Sequence, residues 1–293
     1  QIKYQSIVMS GSMLAAKRSS TAFAYDAVVD EMTNGYSYYC WLKEQETETT
    51  VISELQGFAS SIFGADNVLV GIGADNANEF DDSIKSFIAS LGESTVSHEL
   101  KIKPWKKSND AVVIPGDISF SGMAADFSGL YDGKTMLMSH IVSLDYLWNE
   151  VRVKGGAYGT GLKAVANGSV FAYSFRDPNA KASVETYYKI ADYLRTFANS
   201  DRSLVGFIIG AMSSASPLLT PRQIAIGADG NYIRGISEES RLLLRKQIVE
   251  TQKSDFLALA DTLESAINDS SFCVVGSKKQ VDLFKNLDNE FSL

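Results

Sequence analysis

Apolar residues along this chain recur in two rhythms, and the clearest change between them falls between positions 137 and 176. Leu137, Ile141, Leu144, Trp148 and Val151 stand three and four apart, which predicts an amphipathic helix with one buried face ending near Val151. Gly155 and Gly156 then stop the helix and turn the chain. Residues 162–165 and 170–176 flank Asn167-Gly168, a strong hairpin signal.

The remaining pattern is read in the same way. Residues 2–16 predict a helix carrying Ile7, Met9, Met13 and Leu14, with a small-residue seam at Ser10, Gly11 and Ala15 suited to close packing. Helices follow over 35–46 and 50–63, the second with Val51, Leu55, Phe58 and Ile62 at helical spacing. A short strand over 67–73 and a helix over 79–91 come next. The polar stretch 92–109, with Pro104 and several lysines, reads as a linker.

Beyond it the pattern predicts strands at 111–115 and 118–127, then the helix and hairpin already described. A helix over 180–198 places Val184, Tyr187, Ile190, Ala191, Leu194 and Phe197 on one face, and another spans 204–212. Thr220-Pro221-Arg222-Gln223 is a helix start with a cap, a first-turn proline and a glutamine three after the cap; that helix stops near Gly235. Helical patterning resumes at Ser237 and runs to about Ile267, with a break near Ser254. A strand over 269–276 and a short helix over 280–287 close the chain.

FGADNVLVGIGADN and NDSSFCVVGSKK have the same layout: helix, short apolar strand ending in glycine, polar turn, helix. The chain therefore reads as two related α+β modules, each a sheet packed against helices, the first lacking its front half. The division is placed at 1–105 and 106–293.

Composition narrows the function classes. Hydrophobic content of 45% and charged content of 21% are those of a soluble globular protein. A net charge of −8 argues against nucleic acid or an anionic membrane as partner and mildly favours basic peptides. Cys40 and Cys273 sit among apolar or aromatic neighbours without close-spaced partners, so buried free thiols are expected. No apolar run reaches the ~20 residues of a membrane span, and no signal peptide opens the chain. Starting at Gln1, the chain reads as a piece of something longer; a cytoplasmic location is expected from the missing signals and few cysteines.

Arg152 at a helix end and Tyr158 at a strand start would bring a charged donor and a phenolic donor to one point, suited to a carbonyl or carboxylate oxygen. The same residues also fit a helix C-terminal cation and a packing tyrosine. Gly155, Gly156, Gly159 and Gly161 follow a helix and precede a strand, the reverse of a phosphate-binding loop. Asn149-Glu150 is read as a solvated pair rather than an acid–base group, and Arg176-Asp177-Pro178 as a structural strand-end turn. Tyr36, Tyr38, Tyr39 and Trp41 are read as core rather than a peptide-binding wall. His98 and His140 each lack a nearby second histidine, so neither is expected to ligate zinc.

VRVKGGAYGTG at 151–161, followed by AYSFRDPN at 172–179, resembles the C-terminal half of pitrilysin/insulinase-type zinc peptidases, and within them the presequence-protease branch. The resemblance extends more weakly over nearly the whole chain, including SGSMLAAKRSS. It implies the LuxS/processing-peptidase-like fold, with this chain as the back of a third module and a complete fourth. It implies a zinc-dependent endopeptidase that degrades unfolded peptides in a closed chamber, with zinc ligands outside this chain and none bound here. Arg152 and Tyr158 would then be catalytic, positioning the scissile carbonyl, and Gly155, Gly156 and Ala157 would bind substrate. The implied partners are the N-terminal half of the same protease and an unfolded peptide; surfaces meant for that half would also favour a homodimer. A non-catalytic, peptidase-like scaffold subunit remains the alternative.

Overall fold

The structure is a computed structural model and describes residues 11–45, 50–93, 101–127 and 130–293. Of the expectations above, Ile7, Met9, Ser10, Glu46 and His98 lie outside the described residues. The chain opens with α1 (Gly11–Ser20), α2 (Tyr25–Asn34), α3 (Tyr36–Glu44), α4 (Val51–Ile62) and α5 (Asp81–Ser90). Next come β1 (Asp110–Val113), β2 (Phe120–Asp126) and α6 (Gly133–Ile141), which runs directly into a π-helical segment, Val142–Lys154. The hairpin β3 (Gly159–Ala164) and β4 (Ser169–Phe175) precedes α7 (Ala180–Tyr187), α8 (Ile190–Ala198), α9 (Val205–Ala215), α10 (Pro221–Ile233), α11 (Glu238–Glu250) and α12 (Asp255–Asn268). β5 (Ser271–Gly276), α13 (Lys278–Val281) and β6 (Asn289–Ser292) complete it.

The strands form one mixed sheet in the order β3-β4-β2-β5-β1-β6. β2 is antiparallel to β4 and β5, while β1 is parallel to β5 and β6. Strand alternation gives the sheet two buried faces. Met123, Ala125, Val170, Ala172, Phe272 and Val274 face the main core with Leu137, Tyr187, Leu194, Phe256 and Leu263. Phe120, Val112, Cys273 and Val275 face the other way, onto Leu14 and Ala15 of α1. Beneath the main face, Ser121 Oγ lies 2.7 Å from Ser174 Oγ and 3.0 Å from the Tyr187 hydroxyl, so the buried polar atoms satisfy one another.

The chain divides into two compact units. One comprises Gln1–Cys40, Ile102–Ala215 and Leu243–Leu293; the other comprises Trp41–Lys101 and Ser216–Leu242. Contacts therefore do not follow a division at 105, and the reason is the small-residue seam of α1. A Cβ on Gly122 would stand 2.5 Å from Ala15 C and Ala16 N, so the α1 backbone rests directly on β2. A Cβ on Gly11 would strike the Phe120 ring. Arg18 fastens the same helix, bonding Asp110 at 2.7 Å and Glu31 at 2.5 Å, all three buried.

The smaller unit corrects two expectations. Residues 68–73 form no strand; Gly71 and Gly73 instead let the segment approach α10, where a Cβ on Gly73 would stand 2.6 Å from Ala225 Cβ. The apolar stripe of α4 forms at the expected spacing but stays open to solvent, with Leu55 and Phe58 each 62% exposed. The capping box at Thr220 and Gln223 is present, and Gly235 follows with φ +64°.

In the larger unit the 180–198 helix is two, broken at Tyr188-Lys189, and the predicted helix at 280–287 is reduced to α13. β6 and α2 were not foreseen. The Asn167-Gly168 turn is present: Gly168 has φ +89° and Asn167 Oδ1 accepts from the Ser169 N–H at 3.0 Å. β3 is an edge strand, and its outer side is covered by the neighbouring helical segment. Ser143 Oγ accepts the Leu162 N–H at 2.8 Å, and Ser139 Oγ accepts that of Ala164 at 3.1 Å. Among the described residues no helix is long and apolar enough to cross a membrane.

Candidate functional site

The corner between the long helix and the hairpin is built from its first turn. Asp132 and Thr135 form a reciprocal cap, with the Thr135 N–H donating to Asp132 Oδ1 at 2.8 Å and the Asp132 N–H to Thr135 Oγ1 at 3.0 Å. From there Leu137, Ile141, Val142, Leu147 and Val151 enter the core. Leu144 and Trp148 do not: they are 52% and 39% exposed, against the face predicted for them. The cause is the winding. Bonds from i to i+5 take in more residues per turn than 3.6, so the buried positions advance by five and four, and Trp148 turns outward beside Arg152.

The helix ends through hydrogen bonds that close on themselves. The Gly156 N–H donates to Arg152 O at 3.0 Å and the Ala157 N–H to Val151 O at 3.2 Å. The Tyr158 N–H then donates to Phe175 O at 3.0 Å, which starts the hairpin. Gly156 has φ +84°, a conformation that favours glycine. Ala157 is buried, and the Gly155 carbonyl accepts from Asn179 Nδ2 at 2.9 Å. With these N–H groups engaged, Gly156 and Ala157 hold the corner in place instead of presenting donors outward.

The Arg176-Asp177-Pro178 turn braces the corner from the other side, as its structural reading anticipates. Asp177 is buried; its N–H donates to Ser119 O at 2.8 Å and its Oδ1 accepts the Asn179 N–H at 2.8 Å. Pro178 lies against Gly156, 3.3 Å from where a Cβ would stand.

Arg152 and Tyr158 come together on open surface. The Arg152 guanidinium carbon is 3.9 Å from the Trp148 ring centroid and 5.8 Å from that of Tyr158. Tyr158 is 66% exposed and packs edge-on against Phe175, centroids 5.9 Å apart. Arg176 continues the row, its guanidinium carbon 5.5 Å from the Phe175 centroid. Trp148, Phe175 and Arg176 were missed as site residues. The four-residue spacing of Trp148 and Arg152 was the available signal for the first.

The other candidates fall elsewhere. Glu150 accepts from Lys154 Nζ at 2.7 Å and Asn149 Nδ2 donates to Asp145 O at 2.6 Å, so both serve the helix surface. His140 is half-buried against Gly210, and burial lowers its pKa below the ordinary imidazole value. Cys273 is buried and free, and burial pushes its thiol up; Cys40 is free and half-buried. Tyr36 and Tyr39 pack against the second core, whereas Trp41 is exposed. Among the described residues no group of three or more His, Cys, Asp or Glu side chains could hold a metal ion, so they do not fit a zinc site.

Known proteins resemble this chain in sequence and in fold. The chain is 25% identical over 295 residues to Protein HypA of Clostridium perfringens, covering 95% of this chain and 30% of that protein. It is 26% identical over 299 residues to Presequence protease 1, chloroplastic/mitochondrial, of Arabidopsis thaliana, covering 96% of this chain and 27% of that one. The chain thus spans under a third of the length of either relative. The fold resembles the peptidase M16 inactive domain of Pseudomonas fluorescens at TM-score 0.56 and 13% identity, over 77% of this chain and 57% of the other. Residues 109–278, which hold the long helix, the glycine corner and β1 through β5, match the family described as the PreP C-terminal domain. That match takes in more than half of the sequence, and the chain belongs to the PreP C-terminal domain family.

Proposed function

We propose that this chain is the zinc-free part of a zinc-dependent endopeptidase that encloses unfolded peptides, and that Arg152 and Tyr158 position the scissile carbonyl. The observation that carries the reading is the meeting of these two side chains on open surface at a corner whose N–H groups from Gly156 to Tyr158 are all bonded. The Tyr158 hydroxyl donates to the carbonyl oxygen as it gains negative charge. The Arg152 guanidinium, held over Trp148, adds a second donor and a full charge. Gly155, Gly156 and Ala157 fix the distance between the two. Metal ligands, on this reading, belong to the rest of the enzyme, which is also the partner that closes over the peptide and excludes water.

The test mixes this chain with a segment carrying an H-x-x-E-H motif from the same enzyme and follows cleavage of an unfolded peptide. Activity is expected in the mixture and in neither part alone. Arg152→Ala and Tyr158→Phe are each expected to lower kcat by about 10²–10³-fold while Tm is unchanged. Full activity in both variants sinks the assignment.

A further inference from the structure

Arg176 stands at the same corner and has no part in holding a carbonyl. Among the described residues it is the one non-glycine residue with positive φ, at +47°. Residues with a Cβ populate that region sparsely and persist there where surrounding structure over-determines them, a pattern that clusters at ligand sites. Here the following residues are fixed by burial of Asp177 and by the Pro178 carbonyl, which accepts from Gln280 Nε2 at 2.7 Å. The consequence is an exposed guanidinium over Phe175.

Charge balance singles out this spot. In the larger unit Arg18, Arg195 and Arg202 each hold at least one carboxylate. Arg152 and Arg176 hold none among the described residues, and they stand at the two ends of the Tyr158–Phe175 ring pair. Two arginines without an ion-pair partner among the described residues, one at each end of the same ring pair in a chain of net charge −8, mark a surface suited to an anion. A guanidinium matches both oxygens of a carboxylate, and an aromatic ring beneath it holds its plane.

We propose that Arg176 is a specificity-determining residue that selects peptides presenting a carboxylate beside the carbonyl held by Arg152 and Tyr158. This rests on the reading that a peptide occupies the corner. The carboxylate is either the peptide's own C-terminus or an Asp or Glu side chain.

Three peptides of one acid-free sequence separate the sources: one with a free C-terminus, one C-terminally amidated, and one amidated with a single Gln replaced by Glu. Each is labelled and titrated into this chain by fluorescence anisotropy. At least one carboxylate peptide is expected to bind about tenfold more tightly than the neutral one, the preference shrinking as salt is raised. Whichever carboxylate peptide gains names the source. Arg176→Gln removes the preference and Arg176→Lys keeps part of it. Arg176→Gly removes it while Tm holds or rises, because glycine accepts φ +47° without strain; a purely structural arginine would not give that pair of results.

Equal affinity for all three peptides, or a preference untouched by Arg176→Gln and Arg176→Gly, overturns this inference alone. If Arg152→Ala and Tyr158→Phe leave binding of the neutral peptide unchanged, the underlying reading falls instead. Failure of every peptide to bind at millimolar concentration overturns both.

Discussion

The Arg152 guanidinium sits over the Trp148 ring, 3.9 Å from its centroid, four positions along a π-helical segment. The ring thus restrains a long cation that has no carboxylate among the described residues to hold it. A cation–π contact at an exposed site is worth about 0.5–1 kcal/mol. Trp148→Ala also removes the covered part of a ring that is 39% exposed, so its stability cost exceeds that contact alone, while affinity for a neutral peptide is expected to fall nearly as far as with Arg152→Ala. Trp148→Phe should restore most of it. Anisotropy titrations beside urea melts check the pair; a Trp148→Ala protein that binds normally would show that Arg152 needs no such support.

The two glycines of the corner differ in what they tolerate. At Gly156 an alanine meets φ +84° and a 3.3 Å approach to Pro178 Cγ, for a cost of about 1–2 kcal/mol. At Gly155 the new Cβ would stand 2.5 Å from Val151 O, a backbone atom that cannot step aside. Gly155→Ala should be the more destabilising substitution in urea melts, and the reverse order would contradict the geometry.

Arg18, Glu31 and Asp110 form a buried set in which one cation serves two carboxylates. Arg18→Met leaves both carboxylates without their cation and is expected to cost about 3–5 kcal/mol. Glu31→Gln leaves the Arg18–Asp110 pair intact and should cost clearly less. Chemical denaturation of the two variants decides the ordering; equal losses would mean that Asp110 contributes nothing to holding Arg18.

Burial depresses the pKa of His140 below the ordinary imidazole value of 6.5. The unfolded chain then binds the extra proton first as pH falls, so stability is fully present above about 6.5 and is lost on the acid side. Tm measured from pH 8 to 5 should drop over that range by more in the native protein than in His140→Gln. Parallel curves would remove His140 as the source.

The larger elements were legible because their periods are undisturbed. α7 and α8 bury Val184, Tyr187, Ile190, Ala191, Leu194 and Phe197, the residues that the spacing over 180–198 names, and Asn167-Gly168 marks the hairpin turn unaided. Tyr158 and Arg152 could be paired from sequence because a helix end, two glycines and a strand start leave little freedom between them. What failed had a definite cause in each case. Leu144 and Trp148 were assigned inward on a 3.6-residue period that the π-helical winding does not keep. The apolar pattern around Gly71 and Gly73 matches a strand, but the two glycines serve a close approach to α10 instead. Arg176 looked purely structural since no local pattern announces a positive φ at an arginine.

Ser139 and Ser143 close the border of the sheet beside β3 with hydroxyls from the chain itself. A peptide lying there has no main-chain groups at Leu162 and Ala164 to zip onto. A peptide placed at this border would therefore find these two donors already taken and could not extend the sheet through them. The same two hydroxyls, one helical turn apart, occupy edge donors onto which a second copy of the sheet would otherwise grow.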